Sequence, residues 1–280
     1  MGMFARLLSR RDDTSDPAKT AELAQRYQHI RGLSRRLNNE MLAIIPEDGV
    51  NVAGKRLGVL RRGILVFDSE EEMAVLMDYV LHEVRENGCN TIEKYLLQSQ
   101  SDPETDEMLV LRAMQHAVYS LFEVESVTPG LGVRVRDLLS GDSALVADLG
   151  MSASAKVGFI LAARLLALPE FCIFSGASIP VGIKIDDTPL DELADEAREM
   201  LMPDRDGIRD SSRLIRMLLE MGCMRKIRYA DFDDDDSDDE WMPASRRRSA
   251  KPPLPVRSGP NGPCSCGSGR KRKNCCKSRD

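Results

Sequence analysis

Residues 118–136 read VYSLFEVESVTPGLGVRVR, and this stretch decides the fold class. Apolar residues alternate with glutamates over 122–125 and with arginines over 133–136. An apolar residue at every second position is the period of a half-buried strand, and the Pro129-Gly130 pair between the two runs indicates a turn. The stretch therefore predicts two antiparallel strands joined by a hairpin.

The same two-residue period returns further along the chain, at Ile179, Val181, Ile183 and Ile185. Turn signals separate the apolar runs, at Ser140-Gly141-Asp142, Pro169 and Ser175-Gly176. Several short strands at this spacing are typical of a small sandwich or barrel. We therefore expect a small antiparallel β-barrel-like module over residues 118–185.

Helical signals precede this module. Residues 17–45 have an amphipathic pattern, in which Gly32 predicts a break. Ser69 stands three residues before Glu72, which is the spacing of a capping box, and Gly88 stands where the same helix would have a C-terminal cap. The sequence predicts that residues 1–117 are mainly helical.

Further helices are predicted on both sides of the strands. Asp102-Pro103 predicts the start of a helix whose apolar stripe is Val110, Ala113, Met114 and Ala117. After the strands, Thr188-Pro189 predicts a helix with one apolar face formed by Leu190, Leu193, Ala194, Ala197 and Leu201. A last helix with Leu214 and Leu218 stops at Gly222. The fold class expected from these elements is α+β.

The charge of the chain changes sign near its C-terminal end. The 280 residues include 39 Lys+Arg and 45 Asp+Glu, a net charge of −6. Residues 241–280 hold 11 basic residues and 1 acidic residue, which leaves 28 against 44 for residues 1–240, so the two parts carry +10 and −16. Residues 231–240 read DFDDDDSDDE, a self-repelling run that buries too little apolar area to offset its ordering entropy. We expect residues 227–262 to be a disordered linker.

The sequence also excludes several classes of protein. Residues 1–16 lack the apolar core of a secretory signal. The longest apolar run, residues 159–168, contains Arg164 and is far shorter than the roughly 20 residues that span a bilayer. We therefore expect a cytoplasmic protein without a membrane span, whose cysteines are reduced.

Other candidate residues have simpler interpretations. The chain contains no phosphate-binding loop, no G-x-S-x-G and no H-E-x-x-H motif. We expect the three histidines to be exposed or hydrogen-bonded residues of helices rather than metal ligands: His29, His82 and His116. Isolated cysteines behave as small buried apolar residues, which we expect of Cys89, Cys172 and Cys223. The sequence predicts no catalytic residues.

Four of the seven cysteines lie within residues 264–276, with the spacing C-x-C-x8-C-C: Cys264, Cys266, Cys275 and Cys276. Four thiolates in one short segment can close a tetrahedron around Zn²⁺, although the ligand type alone also allows iron. Gly267 and Gly269 let the chain fold back after the first pair, and neighbouring lysines and arginines offset the negative charge of the thiolates. The sequence predicts a zinc site that leaves no open coordination position for a substrate.

The segment around these cysteines resembles the SEC-C motif, the small metal-binding module at the C-terminus of the SecA-type preprotein translocase ATPase. The motif has the pattern C-x-C-G-S-G-K-K-aromatic-K-x-C-C/H, which this sequence matches at Cys264, Cys266, Gly267, Ser268, Gly269, Lys273, Cys275 and Cys276. Arg272 stands where the motif usually has an aromatic residue. The module also ends many otherwise unrelated bacterial proteins, and residues 118–185 resemble a barrel-like segment of some of them. The resemblance implies that the tail binds zinc and contacts proteins or ribosomes in export or chaperone-like work.

The expected organisation has five parts: a mainly helical domain (1–117), a small β-barrel-like module (118–185), a helical segment packing on the body (186–226), the linker (227–262) and the zinc-binding SEC-C motif (263–280). We expect a non-enzymatic zinc-binding protein with a protein or ribosome partner. One alternative is a nucleic-acid-associated regulator, because the basic runs at 246–248 and 270–273 could neutralise phosphates, although no aromatic residues alternate with them to stack bases. The other is an enzyme whose site in the body has no recognisable motif.

Overall fold

Helices precede and follow a five-stranded barrel in the computed structural model, which describes residues 16–99, 101–182, 190–204 and 207–226. The predicted α+β class is confirmed. The predicted linker, the SEC-C segment and the Thr188-Pro189 cap lie outside the described residues. None of the described helices is both long enough and apolar enough to cross a membrane.

The part before the barrel is helical, with one small hairpin. Its elements are α1 (Pro17–Met41), a 3-10 turn (Leu42–Ile44), α2 (Gly49–Leu57), β1 (Leu60–Arg61), β2 (Ile64–Leu65), α3 (Glu70–Glu83), α4 (Thr91–Gln98) and α5 (Asp106–Gln115). Side chains that accept hydrogen bonds from backbone amides fix the starts of four of these helices: Asp16, Ser69, Asn90 and Thr105. Each cap satisfies an amide that has no partner within its own helix.

The predicted break in α1 is wrong, because the helix runs through Gly32 without interruption. Glycine costs a helix only about 1 kcal/mol relative to alanine. Burial of one helix face outweighs this cost, since Ile30, Leu37 and Met41 are all inaccessible to solvent.

Two other predicted helix boundaries are also wrong. Helix α3 ends at Glu83, and Gly88 instead forms a turn with Asn87, in which the two residues have positive φ values of 84° and 54°. Helix α5 begins after the Thr105 cap, so Asp102-Pro103 lies in the turn that precedes the helix. In both cases a residue that suits a helix end also suits a turn, and the turn is what the chain forms.

Five strands close into a barrel in the order β3-β4-β5-β7-β6. They are β3 (Val118–Thr128), β4 (Gly132–Asp137), β5 (Ser143–Ala147), β6 (Ile160–Ala167) and β7 (Cys172–Gly182), with a short helix, α6 (Leu149–Ser154), between β5 and β6. The predicted barrel is confirmed, but a purely antiparallel arrangement is wrong. Strands β5 and β7 pair in parallel at Val146 and Cys172, because β6 lies between them in sequence and not in space.

The predicted turn at Ser175-Gly176 is also wrong, since both residues lie within β7. The pairing of β7 with β6 shifts register between Ala163 and Leu165, so the irregular part of β7 lies opposite Arg164. Gly176 has a φ of 104°, a conformation that residues with a side chain rarely adopt. The glycine therefore makes a bulge within the strand rather than a turn between two strands.

Apolar side chains fill the barrel and also cover its outer surface. Inside, the rings of Phe122 and Phe174 lie with centroids 5.4 Å apart. One outer side packs against α2, α3, α7 (Leu190–Met200), α8 (Ser212–Glu220) and the start of α9 (Cys223–Lys226). The other outer side packs against α1, α4 and α5. The barrel is thus a central layer between two helical layers.

Alanine substitutions at two glycines should change the free energy of unfolding in opposite directions. A Cβ at Gly132 would lie 2.0 Å from the carbonyl oxygen of Val146 on the paired strand, whereas a Cβ at Gly32 meets nothing within 4 Å. We expect Gly132→Ala to lower the free energy of unfolding by about 3 kcal/mol or more. Gly32→Ala should raise it by about 0.5–1 kcal/mol. Urea denaturation of both variants measures the two effects, and a stabilised Gly132→Ala protein would contradict the described strand pairing.

Candidate functional site

The four predicted metal ligands, Cys264, Cys266, Cys275 and Cys276, lie outside the described residues. Within the described ranges, no group of three or more His, Cys, Asp or Glu side chains could hold a metal ion. The predicted burial is confirmed for Cys172 and Cys223, whereas Cys89 is half-buried. The candidates for a functional site among the described residues are therefore other groups.

Two of the three histidines are exposed, as predicted. His29 lies on α1 with its Nε2 atom 3.0 Å from a carboxylate oxygen of Asp106, and His116 follows the end of α5. His82 differs, because its ring is buried and its Nε2 atom lies 3.8 Å from Asp78. It belongs to a buried polar network that the sequence did not predict.

Arg164 is the centre of this network. It lies in the middle of β6 with 3% of its surface exposed. Its Nε donates to Asp78 over 2.8 Å and its Nη2 donates to Glu83 over 2.5 Å. Both carboxylates belong to α3, and the guanidinium also lies 5.3 Å from the ring centroid of Tyr119 on β3. A strand, a helix and a neighbouring strand are therefore joined through one side chain.

The network continues from α3 to the start of α8. The carboxylate of Glu83 accepts hydrogen bonds from both the backbone N–H and the hydroxyl of Ser211, each over 2.6 Å. Next to it, the hydroxyl of Tyr79 donates to Asp210 over 2.9 Å and accepts from Arg56 over 3.0 Å. These contacts extend the network from the buried centre to the surface at Arg56.

The charges of the network reinforce one another. Burial raises the pKa of Asp78, but the guanidinium of Arg164 outweighs this effect and holds the pKa below its usual value. For Arg164, burial again opposes the charged form, while Asp78 and Glu83 raise its pKa further above the ordinary range. Burial together with the nearby positive charge of Arg164 lowers the pKa of His82 to about 3. Arg164 and Asp78 are therefore charged at neutral pH, and His82 is not.

This arrangement supports a structural role rather than catalysis. Arg164 and Asp78 are buried, the side chain of Glu83 is only 10% exposed, and all three have their charged partners within the protein. A signal was present in the sequence, since a charged residue inside an apolar strand run must be paired. The partners themselves carry no local signal, because Asp78 and Glu83 precede Arg164 by 86 and 81 residues.

A surface cleft of about 490 Å³ lies on the other side of the body, lined by Ile44, Tyr95, Gln98, Ser99, Ser101 and Glu107. Four of its polar lining residues have hydrogen-bond partners: Tyr95, Ser99, Ser101 and Glu107. Glu107 accepts from Ser101 and from Arg36, each over 2.5 Å, and the hydroxyl of Tyr95 donates to Glu40, a bond that together with partial burial raises the pKa of Tyr95 to about 12. The cleft presents no activated nucleophile or base.

The barrel defines the class of fold. Five strands in Greek-key order with a short helix between the third and fourth have the architecture of the oligonucleotide/oligosaccharide-binding (OB) barrel. Barrels of this class bind ligands on the outer face of the second and third strands and on adjacent loops. Here Leu145 on the third strand packs in the cluster of α1, and the ring of Phe171, between the last two strands, contacts Tyr27 of α1 at 6.5 Å. Helix α1 therefore covers part of this face.

The chain matches, over residues 21–204, the family described as a family of unknown function, DUF7986, and it belongs to that family. The match includes the N-terminal helices, the barrel and α7, and it ends before α8 and before the cysteine-rich segment. No curated protein and no solved structure matches the chain.

The buried state of His82 predicts a dependence of stability on pH. In the unfolded chain its imidazole binds a proton below about pH 6.5, whereas in the folded chain it does so only near pH 3. Because the unfolded state binds more protons between these values, acidification from pH 7 to 5 should cost about 2 kcal/mol through this residue.

Urea denaturation at both pH values measures this dependence. In His82→Gln the drop should be smaller by that amount, while His116→Gln, at an exposed position, should keep the full drop. An equal drop in His82→Gln and in the unaltered protein would show that the histidine is not held neutral by the fold.

Proposed function

We propose that the chain is a non-enzymatic, cytoplasmic protein of the SEC-C type. Its C-terminal module binds zinc through Cys264, Cys266, Cys275 and Cys276 and contacts a protein or the ribosome. The observation that carries the proposal is the C-x-C-x8-C-C spacing together with the sequence Gly267-Ser268-Gly269 between the two cysteine pairs. In this proposal residues 227–262 connect the family domain to the module.

The donor set suits zinc in a structural role. Four thiolates fill the tetrahedral coordination that Zn²⁺ prefers, and such a site contributes folding energy to its own segment rather than hydrolytic chemistry. The cations next to the cysteines, Arg270, Lys271, Lys273 and Lys277, favour the thiolate form and offset its charge. The module would therefore act as a rigid surface for contacts.

A non-enzymatic role is supported by the body. A group of interacting charges is buried around Arg164 and joins secondary structure elements. In the surface cleft, Ser101 donates to Glu107 and Tyr95 donates to Glu40. Both arrangements stabilise a defined shape, as expected of a protein that presents surfaces to partners.

A second candidate function, nucleic-acid-associated regulation, is favoured by the basic runs at 246–248 and 270–273. Their arginines and lysines suit phosphate contacts that depend on salt and not on base sequence.

Metal analysis of the purified full chain tests the ligand assignment. We expect about one zinc ion per chain, and its loss in Cys275→Ser/Cys276→Ser, because two thiolates cannot complete the tetrahedron. Cys89→Ser, at a half-buried position of the body, should keep the metal. Unchanged zinc content in the double variant would refute the assignment, and iron in place of zinc would correct the metal.

Cross-linking distinguishes the two candidate functions. A photo-reactive group placed at Ser278 should capture a protein in cell lysate, and nuclease treatment should leave the product intact if the module contacts protein. The Cys275→Ser/Cys276→Ser chain should lose this product. A product that disappears with nuclease would instead support the nucleic-acid-associated role.

A further inference from the structure

A cluster of positive charge interrupts the acidic body. Residues 55–62 and 209–216 contain seven basic residues and one acidic residue, Asp210, a local charge of +6 in a part of the chain that carries −16. The basic residues are Lys55, Arg56, Arg61, Arg62, Arg209, Arg213 and Arg216, and all seven are exposed. We name these seven residues the basic surface.

The two stretches lie next to each other in the fold. The Nη1 atom of Arg56 lies 3.8 Å from a carboxylate oxygen of Asp210, and Arg216 passes so close to Gly58 that a Cβ there would be 3.3 Å from its Nε atom. Asp210 and Glu220 partly offset these two arginines.

The other five cations have no carboxylate within 4.0 Å in the part of the chain that the structure describes: Lys55, Arg61, Arg62, Arg209 and Arg213. They are therefore available for a negatively charged ligand.

The tip of the β1–β2 hairpin is an unusual part of this surface. Arg62 and Gly63 form its two-residue turn, with φ values of 53° and 78°. Such turns favour asparagine or glycine at the first position, because a left-handed backbone is unfavourable for other residues. Next to the turn, Ile64 is 67% exposed. The hairpin thus holds a strained arginine and an apolar side chain in solvent, where neither contributes to the core.

We propose that the basic surface binds the sugar–phosphate backbone of duplex nucleic acid, with the tip of the hairpin entering a groove. Six of its seven cations are arginines, whose planar guanidinium matches phosphate oxygens in two-point contacts. A two-stranded ribbon fits the major groove of B-form DNA, and an RNA duplex offers a wide minor groove instead. The surface belongs to the body, so the proposal is independent of the zinc module.

Other anionic partners fit less well. Binding of single strands relies on aromatic side chains that stack on bases, and anchoring at a membrane surface commonly uses aromatic or long amphipathic elements. Among the described residues, none of the exposed large apolar side chains is aromatic. The surface therefore suits a ligand that is recognised by its phosphates and by the shape of its groove.

Fluorescence anisotropy with the full chain tests the proposal, with RNA and DNA duplexes of about 20 base pairs, or roughly two helical turns. The variant Arg61→Gln/Arg62→Asn removes two charges and keeps a residue suited to the turn. We expect it to bind at least about fivefold more weakly, and the slope of log affinity against log salt should fall by about two. Lys55→Gln/Arg213→Gln, which alters the two helices, should give the same result.

The matched control is Lys19→Gln/Arg112→Gln, which removes two exposed cations far from the basic surface in sequence. It should change affinity less than about twofold. Binding to either duplex with these differences supports the proposal.

Two outcomes with the duplexes would overturn it: no binding of the unaltered chain to either duplex, or equal losses of affinity in the control and hairpin variants. A parallel assay with phosphatidylglycerol vesicles gives the third: the hairpin variant binds the vesicles more weakly but binds both duplexes as the unaltered chain does. Zinc content should be the same in every variant, so failure here is distinct from failure of the zinc assignment.

Discussion

The packing of the described chain depends on one buried ion pair network, that of Arg164 with Asp78 and Glu83. Removing a guanidinium from water costs several kcal/mol, and the pairing offsets this cost only where the geometry is good. Such a network adds little net stability compared with apolar residues of the same volume, but loss of one partner leaves an uncompensated charge. Its main effect is therefore on geometry, because α3 can lie on the barrel in only one position that satisfies Arg164.

The same constraint extends beyond the residues that match the family. Glu83 contacts Arg164 and also both hydrogen-bond donors of Ser211, so one carboxylate fixes α3, β6 and the start of α8. Helix α8 in turn carries Arg213 and Arg216, and Arg216 lies beside Gly58, which follows α2. The position of the basic surface thus follows from the buried network, although none of its cations is part of the buried centre.

Local sequence patterns predicted the structure correctly where the residues that carry the pattern also form the predicted element. The alternation over 122–125 and 133–136 predicted strands because solvent lies on one side and the core on the other. Glycine and proline were less reliable, since Gly88 and Gly176 supply positive φ to a turn and a bulge, and not to a helix end or a hairpin. The partners of Arg164 could not be predicted, because Asp78 and Glu83 lie more than 80 residues away in sequence and meet it only in the fold. The cysteine spacing is again a local signal, so the zinc proposal rests on the sequence alone.

The strand order has a consequence for synthesis of the chain on the ribosome. Asp78 emerges 86 residues before Arg164, and the barrel cannot close until β7 has paired with both β5 and β6. Contacts between such distant residues form slowly, and a partly made chain exposes the apolar faces that will later be covered. During translation the carboxylates of α3 therefore remain unpaired until Arg164 has been synthesised. The barrel closes, and the earlier elements reach their final packing, only after β7 has emerged.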